Sequence, residues 1–148
     1  MTRREQREAV LELLFETEFK KDERAEEIFA LAIQNRELTP EAGSYIKDVY
    51  FDLLDKLSEI DDMIGACASG WKTSRLSKLS RSIMRLCVYE LLYRDDIPAS
   101  VSINEAVELA KKFDDEKAKS FINGVLNGVK NLLESKRTDT AKDGEDHA

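Results

Sequence analysis

The chain has 148 residues, with 23 basic and 30 acidic side chains and a formal net charge of −7. It is 42% hydrophobic, which suits one folded domain and excludes a wholly disordered chain. Six glycines and two prolines are too few for an all-β sandwich or barrel, so long helices are expected. No apolar run approaches the ~18 residues of a membrane span. The N-terminus lacks the pattern of a signal peptide, and we expect a cytoplasmic protein.

Apolar residues at helical spacing predict an all-α fold of about seven helices. The first helix is predicted over residues 2–19 and the second over residues 23–34. Thr39 and Pro40 predict the start of the third, because Thr is a good N-cap and Pro suits the first helical position. A fourth helix follows after a break near Ser58.

Three more helices are predicted in the second half of the chain. The fifth spans residues 80–93 and ends before Pro98, since the residue before a proline is disfavoured in a helix. Ser102 and Glu105 have the spacing of a capping box that would begin the sixth helix. The seventh is predicted over residues 118–133.

These elements predict one folded domain over residues 1–137, with subdomains of about residues 1–70 and 71–137. The polar tail, residues 138–148, is expected to be disordered. Gly124 and Gly128 lie on the predicted last helix, where each costs ~1 kcal/mol relative to Ala. Close approach of a neighbouring helix, or of a ligand backbone, would offset that cost.

Side chains typical of catalytic and metal sites are scarce. The only histidine is His147, in the polar tail, and the sequence has no nucleotide-binding or hydrolase motif. Cys67 and Cys87 lie in apolar helical segments and are predicted to be small buried side chains rather than disulfide or zinc ligands. Acidic residues between positions 48 and 62 are interpreted as a solvated face rather than a metal or glycosidase-like site. We therefore predict that the protein is not an enzyme and holds no metal or cofactor.

Basic charge is concentrated in parts of this acidic chain. From Trp71 to Arg94, six basic residues face Glu90 alone, a local balance of +5. A local basic surface can bind a polyanion whatever the total charge, because electrostatic fields decay over ~8–10 Å at physiological salt.

Two basic segments lie near the beginning and the middle of the chain. Arg3, Arg4 and Arg7 have helical spacing and are expected to form one patch. Cations at a helix N-terminus oppose the helix dipole, so this patch indicates either phosphate binding or a merely solubilising end. Trp71 and Lys72 lie in a Gly/Ser-containing connection, where the indole could stack on an unpaired base or plug the joint between two helix groups.

A third basic segment surrounds the predicted start of the last helix. Lys117 and Lys119 precede Phe121, which could be a core residue or a stacking ring, and Asn123, which could contact a base edge or cap a turn. Basic residues interleaved with aromatics suit single-stranded RNA. No helix has the dense basic run of a major-groove reader, so no DNA contact is expected.

Five segments together carry a family resemblance. They are Trp71–Leu76, Arg81–Leu91, Ile97–Pro98, Ile103–Lys111 and Phe121–Leu126. In combination they resemble the NusB family of bacterial transcription antitermination factors, and the resemblance covers about residues 3–133.

The resemblance implies an all-α fold of two helical bundles and binding to the single-stranded boxA element of ribosomal RNA leader transcripts. It implies pairing with the small-subunit ribosomal protein NusE, in a heterodimer that binds boxA more tightly. It further implies action on the RNA polymerase elongation complex with other Nus factors, promoting read-through of termination signals. The residues alone also allow a helical protein-interaction adaptor that does not bind RNA directly.

The resemblance also implies roles for individual residues. The predicted RNA-binding set is Arg3, Arg4, Arg7, Trp71, Lys72, Lys117, Lys119, Phe121 and Asn123. Ser80 and Arg81 correspond to the NusE-facing start of the central helix, where the family commonly has an acidic residue in place of Ser80. Glu5 and Glu8 interrupt the N-terminal arginines, so modest RNA affinity is expected for the isolated protein.

Overall fold

The computed structural model describes residues 1–36, 39–68 and 77–146. Within these ranges the chain forms seven α-helices and no strand, which confirms the predicted all-α fold. The helices are α1 (Arg3–Phe19), α2 (Ala25–Arg36), α3 (Pro40–Asp55), α4 (Leu57–Cys67), α5 (Lys78–Tyr93), α6 (Ala99–Phe113) and α7 (Glu116–Asp146).

Short polar side chains start three of these helices. Thr2 forms a capping box with Glu5, in which each side chain bonds the backbone N–H of the other residue. The predicted cap at Thr39 is confirmed, because its hydroxyl accepts from the N–H of Ala42 and proline follows at the first helical position. Ser77 caps α5 by accepting from the N–H of Ser80.

The predicted start of the sixth helix was wrong. α6 begins at Ala99, directly after Pro98, so Ser102 lies one turn inside the helix. Ser102 is buried, and its hydroxyl donates to Glu90 Oε1 at 3.1 Å instead of capping the helix. Glu105 pairs with α1 rather than with the backbone of α6. Ser102 and Glu105 therefore have the spacing of a capping box, but each side chain makes a tertiary contact instead of capping the helix.

The last helix is longer than the sequence predicted. α7 continues to Asp146, whereas the apolar periodicity ends near Leu133 and a disordered tail was expected from residue 138. No glycine or proline lies between Gly128 and Gly144, so the sequence has no strong helix breaker in that stretch.

The core is organised around α5. This helix packs against α1, α3, α4, α6 and α7. Its residues Ile83, Met84, Leu86 and Val88 are at most 1% exposed, which leaves them almost no contact with water. Since α5 belongs to the second predicted subdomain but packs against α1, α3 and α4 of the first, the division into two subdomains stays a prediction.

The two glycines of α7 differ in their surroundings. A Cβ at Gly128 would lie 3.4 Å from Cys67 Cβ, so α4 and α7 approach closely there, as one of the two predicted explanations requires. A Cβ at Gly124 would have nothing within 4 Å. Cys67 is half-buried and Cys87 is buried, and both thiols are free.

Two further features concern only the part of the chain that the structure describes. No helix there is both long and apolar enough to cross a bilayer. No group of three or more His, Cys, Asp or Glu side chains there is arranged to hold a metal ion.

Candidate nucleic-acid interface

Arg7 lies inside the protein, not on the surface patch that the sequence predicted. Its Nε and Nη2 donate to Glu90 Oε2 and Oε1 at 3.0 and 2.9 Å. Arg7 is 6% exposed and Glu90 is 2% exposed, so both charges are almost fully removed from water. This placement corrects the assignment of Arg7 to the phosphate-binding set, because its guanidinium is already engaged by the carboxylate.

A signal for this burial was present in the sequence. Arg7 precedes Val10 and Leu14 by three and seven residues, so all three share the inward face of α1. Glu90 is the only acid in α5, whose other buried side chains are apolar or hydroxylated. Burial by itself lowers the pKa of Arg7, but the hydrogen bond and charge of Glu90 raise that pKa above its ordinary value. Arg7 therefore remains a cation despite its burial.

Arg4 is exposed but is also paired. Its Nε and Nη2 donate to Glu105 Oε2 and Oε1, both at 2.9 Å, and its side chain remains 55% exposed. The hydrogen bond from Arg4 holds the pKa of Glu105 below its usual range, and that of Arg4 is raised in turn. Glu105 also lies 4.0 Å from Arg7 Nη1, so it links the exposed arginine to the buried one.

Arg3 is held at the surface by the aromatic ring of Tyr45. Its Cζ lies 3.9 Å from the centre of the Tyr45 ring, a cation–π contact, and the arginine itself is exposed. Tyr45 is 8% exposed and belongs to the core of α3, so it is a firm support for the guanidinium. Arg3 and Arg4 therefore present two positioned cations at the start of α1.

A groove between α1 and α6 extends this surface. It encloses about 290 Å³. Its charged lining residues are Arg4, Glu8, Glu105, Glu108, Lys111 and Lys112. Lys111 and Lys112 were not in the predicted RNA-binding set, although their position before Phe113 was a basic–aromatic signal of the same kind as Lys119 before Phe121.

The predicted residues of α7 occupy its first two turns. Lys117 is exposed, and Lys119 is half-buried with its Nζ 3.9 Å from Glu116. Phe121 is 36% exposed, which leaves part of its ring available for stacking. Asn123 is exposed, and its Oδ1 accepts from Asn127 Nδ2 at 3.2 Å. Asn123 therefore contacts the next turn of its own helix, and its predicted contact with a base edge stays a prediction.

The end of α6 contacts α1 and precedes these α7 residues in the chain. Lys112 Nζ donates to Glu8 of α1 at 2.8 Å, and α7 begins at Glu116, three residues after the end of α6. Trp71 and Lys72, the remaining members of the predicted set, lie outside the described residues.

The two predicted partner-binding residues, Ser80 and Arg81, differ in their exposure. Ser80 is 4% exposed, accepts from Ser77 Oγ at 2.9 Å and donates to Asp114 Oδ2 at 2.7 Å. Its hydroxyl is satisfied inside the protein, so the prediction that Ser80 faces a partner is not supported by its placement. Arg81 is half-buried and lines a shallow depression at the start of α5.

The same depression contains two aromatic rings from the last turns of α1. Phe15 and Phe19 make an edge-to-face contact with centroids 4.8 Å apart. Phe19 is 60% exposed, because it lies at the last position of α1, and Lys78 Nζ lies 4.2 Å from its ring centre. With Arg81 and Asp114, these side chains form an exposed aromatic surface rimmed by charge, which we call the Phe19 surface.

Comparison with known proteins gives consistent results. A sequence model of the NusB family matches residues 4–131. The transcription antitermination protein NusB of Ruminiclostridium cellulolyticum is 46% identical over 126 residues, covering 85% of this chain and 86% of that relative. The solved T. maritima NusB superposes with a TM-score of 0.80 at 36% identity, covering 87% of this chain and 90% of that one.

A second solved structure contains a complex. The crystal structure of antitermination factors NusB and NusE in complex with dsRNA matches with a TM-score of 0.77 at 27% identity. The match covers 89% of this chain and 99% of that one.

Proposed function

Because the chain belongs to the NusB family, we propose that it is a transcription antitermination factor that binds single-stranded boxA RNA of ribosomal RNA leader transcripts together with NusE. In this role it acts in the cytoplasm and without catalysis. It joins the RNA polymerase elongation complex with other Nus factors and promotes read-through. The observation that carries the proposal is the match over nearly the whole chain to an antitermination factor solved with NusE and dsRNA.

Surface cations, all exposed except the half-buried Lys119, supply the phosphate contacts in this proposal. Arg3 and Arg4 lie at the start of α1, Lys112 lies at the end of α6, and Lys117 and Lys119 lie in the first turn of α7. Such cations attract the phosphates of RNA whatever the base sequence. Arg7 contributes only indirectly, since it fixes the N-terminal half of α1 against α5.

Exposed π-systems and amides supply the base contacts. Phe121 presents part of its ring and Asn123 its amide at the surface of α7. Unpaired bases can stack on such a ring, which duplex bases cannot. Trp71 and Lys72 remain sequence-based members of the same set. The exposed ring favours single-stranded RNA as the ligand of this chain.

We assign NusE to the Phe19 surface. Exposed aromatic rings with a charged rim are typical of protein–protein contacts. Arg81 lies in this surface, and the family resemblance placed it on the NusE side. The buried Ser80 donates to Asp114 and so positions that carboxylate at the rim.

A mobility shift of boxA-like single-stranded RNA across a salt series tests the RNA contacts. About 3–5 phosphate contacts predict a log–log salt slope of ~−2 to −3.5. A duplex competitor of the same sequence should displace the RNA less well than an unlabelled single strand. Absence of binding at low salt with NusE present would refute the proposed function.

Two variants separate the two surfaces in the same assay. Arg4→Ala should weaken RNA binding both with and without NusE, because it removes a phosphate contact. Phe19→Ala should leave RNA binding by the isolated protein unchanged and remove only the gain in affinity that NusE provides. Equal behaviour of the two variants would contradict this division.

A further inference from the structure

The groove between α1 and α6 has no net charge, although it lies in the proposed RNA surface. Three cations and three carboxylates line it. They form the pairs Arg4–Glu105 at 2.9 Å, Lys112–Glu8 at 2.8 Å and Lys111–Glu108 at 3.3 Å. Each cation that could contact a phosphate is therefore already next to a carboxylate.

The partners in two of these pairs differ in exposure. The Lys112 side chain is 58% exposed, whereas that of Glu8 is 20% exposed, and the same contrast holds for Arg4 at 55% and Glu105 at 14%. The carboxylates thus lie deeper in the groove and the cations lie over them. A phosphate that approaches either cation enters the field of the carboxylate beneath it.

We propose that Glu8 is an internal competitor of RNA, which holds Lys112 in the free protein and lowers its affinity for phosphate. This inference rests on the proposed RNA binding. When RNA binds, Lys112 exchanges the Glu8 carboxylate for a phosphate oxygen, and the carboxylate remains close to the phosphate as a like charge. Two like charges ~5 Å apart in a water-like medium repel enough to lower the affinity several-fold.

Glu8 is the suitable position for a test. Glu105 also contacts Arg7, so its substitution would disturb the buried pair with Glu90. The ion pair between Glu8 and Lys112 lies at the surface, and surface pairs of this kind contribute little to stability. Glu8→Gln keeps the size of the side chain and removes its charge.

The matched control is Glu12→Gln. Glu12 lies one turn further along α1 and pairs with Arg36 of α2, so it is outside the groove. Both variants change the net charge of the chain by the same amount. We expect Glu8→Gln to bind boxA-like single-stranded RNA about threefold to tenfold more tightly than Glu12→Gln at low salt. Thermal unfolding of both variants shows that each is folded.

A double-mutant cycle with Lys112→Gln shows whether Glu8 changes RNA affinity through Lys112. If Glu8 acts by holding Lys112, Glu8→Gln should change RNA affinity much less in a Lys112→Gln background than in the wild type. Equal affinity of Glu8→Gln and Glu12→Gln, or weaker binding by Glu8→Gln, would overturn the inference while RNA binding by the wild type still supports the proposed function. If neither the wild type nor Glu12→Gln binds RNA, the proposed function and the inference fail together.

Discussion

Arg4 and Arg7 are three residues apart on one helix, and each is bound by both oxygens of a carboxylate. Arg4 meets Glu105 at the surface, where its cation remains accessible. Arg7 meets Glu90 in the interior, where two charges are acceptable only as a hydrogen-bonded pair. The depth of the carboxylate therefore decides whether an arginine is available to RNA.

This contrast predicts opposite effects of two alanine substitutions. Arg7→Ala should destabilise the protein by ~3–5 kcal/mol, because it leaves the carboxylate of Glu90 buried without its cation. Arg4→Ala should change stability little, since exposed ion pairs are weak, and should lower RNA affinity. Urea unfolding followed by circular dichroism measures the first effect and the mobility shift measures the second.

A paired replacement is the control for Arg7. Combining Arg7→Met with Glu90→Leu removes both buried charges and should recover much of the stability that Arg7→Ala loses. An Arg7→Ala protein with wild-type stability would show that Arg7 is not the structural residue described above.

At the scale of a helix, Gly124 is the clearest departure from what stability alone would favour. It lies inside α7 with nothing within 4 Å of its Cβ position, so no neighbouring helix requires a glycine there. Gly124→Ala should raise the free energy of unfolding by ~0.4–1 kcal/mol, because alanine loses less backbone freedom on folding. Thermal and urea unfolding measure the gain.

Gly128→Ala is the matched comparison on the same helix. Its new Cβ would meet Cys67 Cβ at 3.4 Å, at the near edge of ordinary contact, so a smaller gain is expected than at Gly124. A loss of stability in Gly124→Ala would contradict the open space seen at that position. RNA affinity of Gly124→Ala, measured alongside, tests the remaining explanation that a ligand backbone approaches there.

At the scale of the whole molecule, pairing of carboxylates with donors makes stability depend on pH. Hydrogen bonds hold the pKa of three carboxyl groups below the usual value. Thr2 donates to Glu5, and Arg4 donates to Glu105. Asp52 accepts from Lys56, which has the larger effect, and from Tyr89. A lowered carboxyl pKa stabilises the fold above the unfolded value of ~4 and loses that contribution as pH falls through the folded pKa. We therefore expect the urea midpoint to fall steadily below pH ~4, and more shallowly in Asp52→Asn. A midpoint that rises on acidification would contradict this.

Local signals predicted the helices well and their tertiary partners poorly. The Thr39–Pro40 start and the end of α5 before Pro98 were predictable, because caps and prolines act through the backbone within one turn. Ser102 and Glu105 matched a capping box by spacing alone, yet their side chains contact α5 and α1. A pattern within four residues cannot report which distant group will compete for its side chains.

The all-α fold, the family and the kinds of residue that could bind RNA were predictable from the sequence, because periodicity, caps and motifs depend on neighbouring residues. Tertiary structure alone decided that Arg7 and Ser80 are internal, that Phe19 is exposed, and that each groove cation lies next to a carboxylate. The physical reason is that burial and charge pairing depend on residues far apart in the chain, such as Arg7 and Glu90, which only the packing of α1 on α5 brings together.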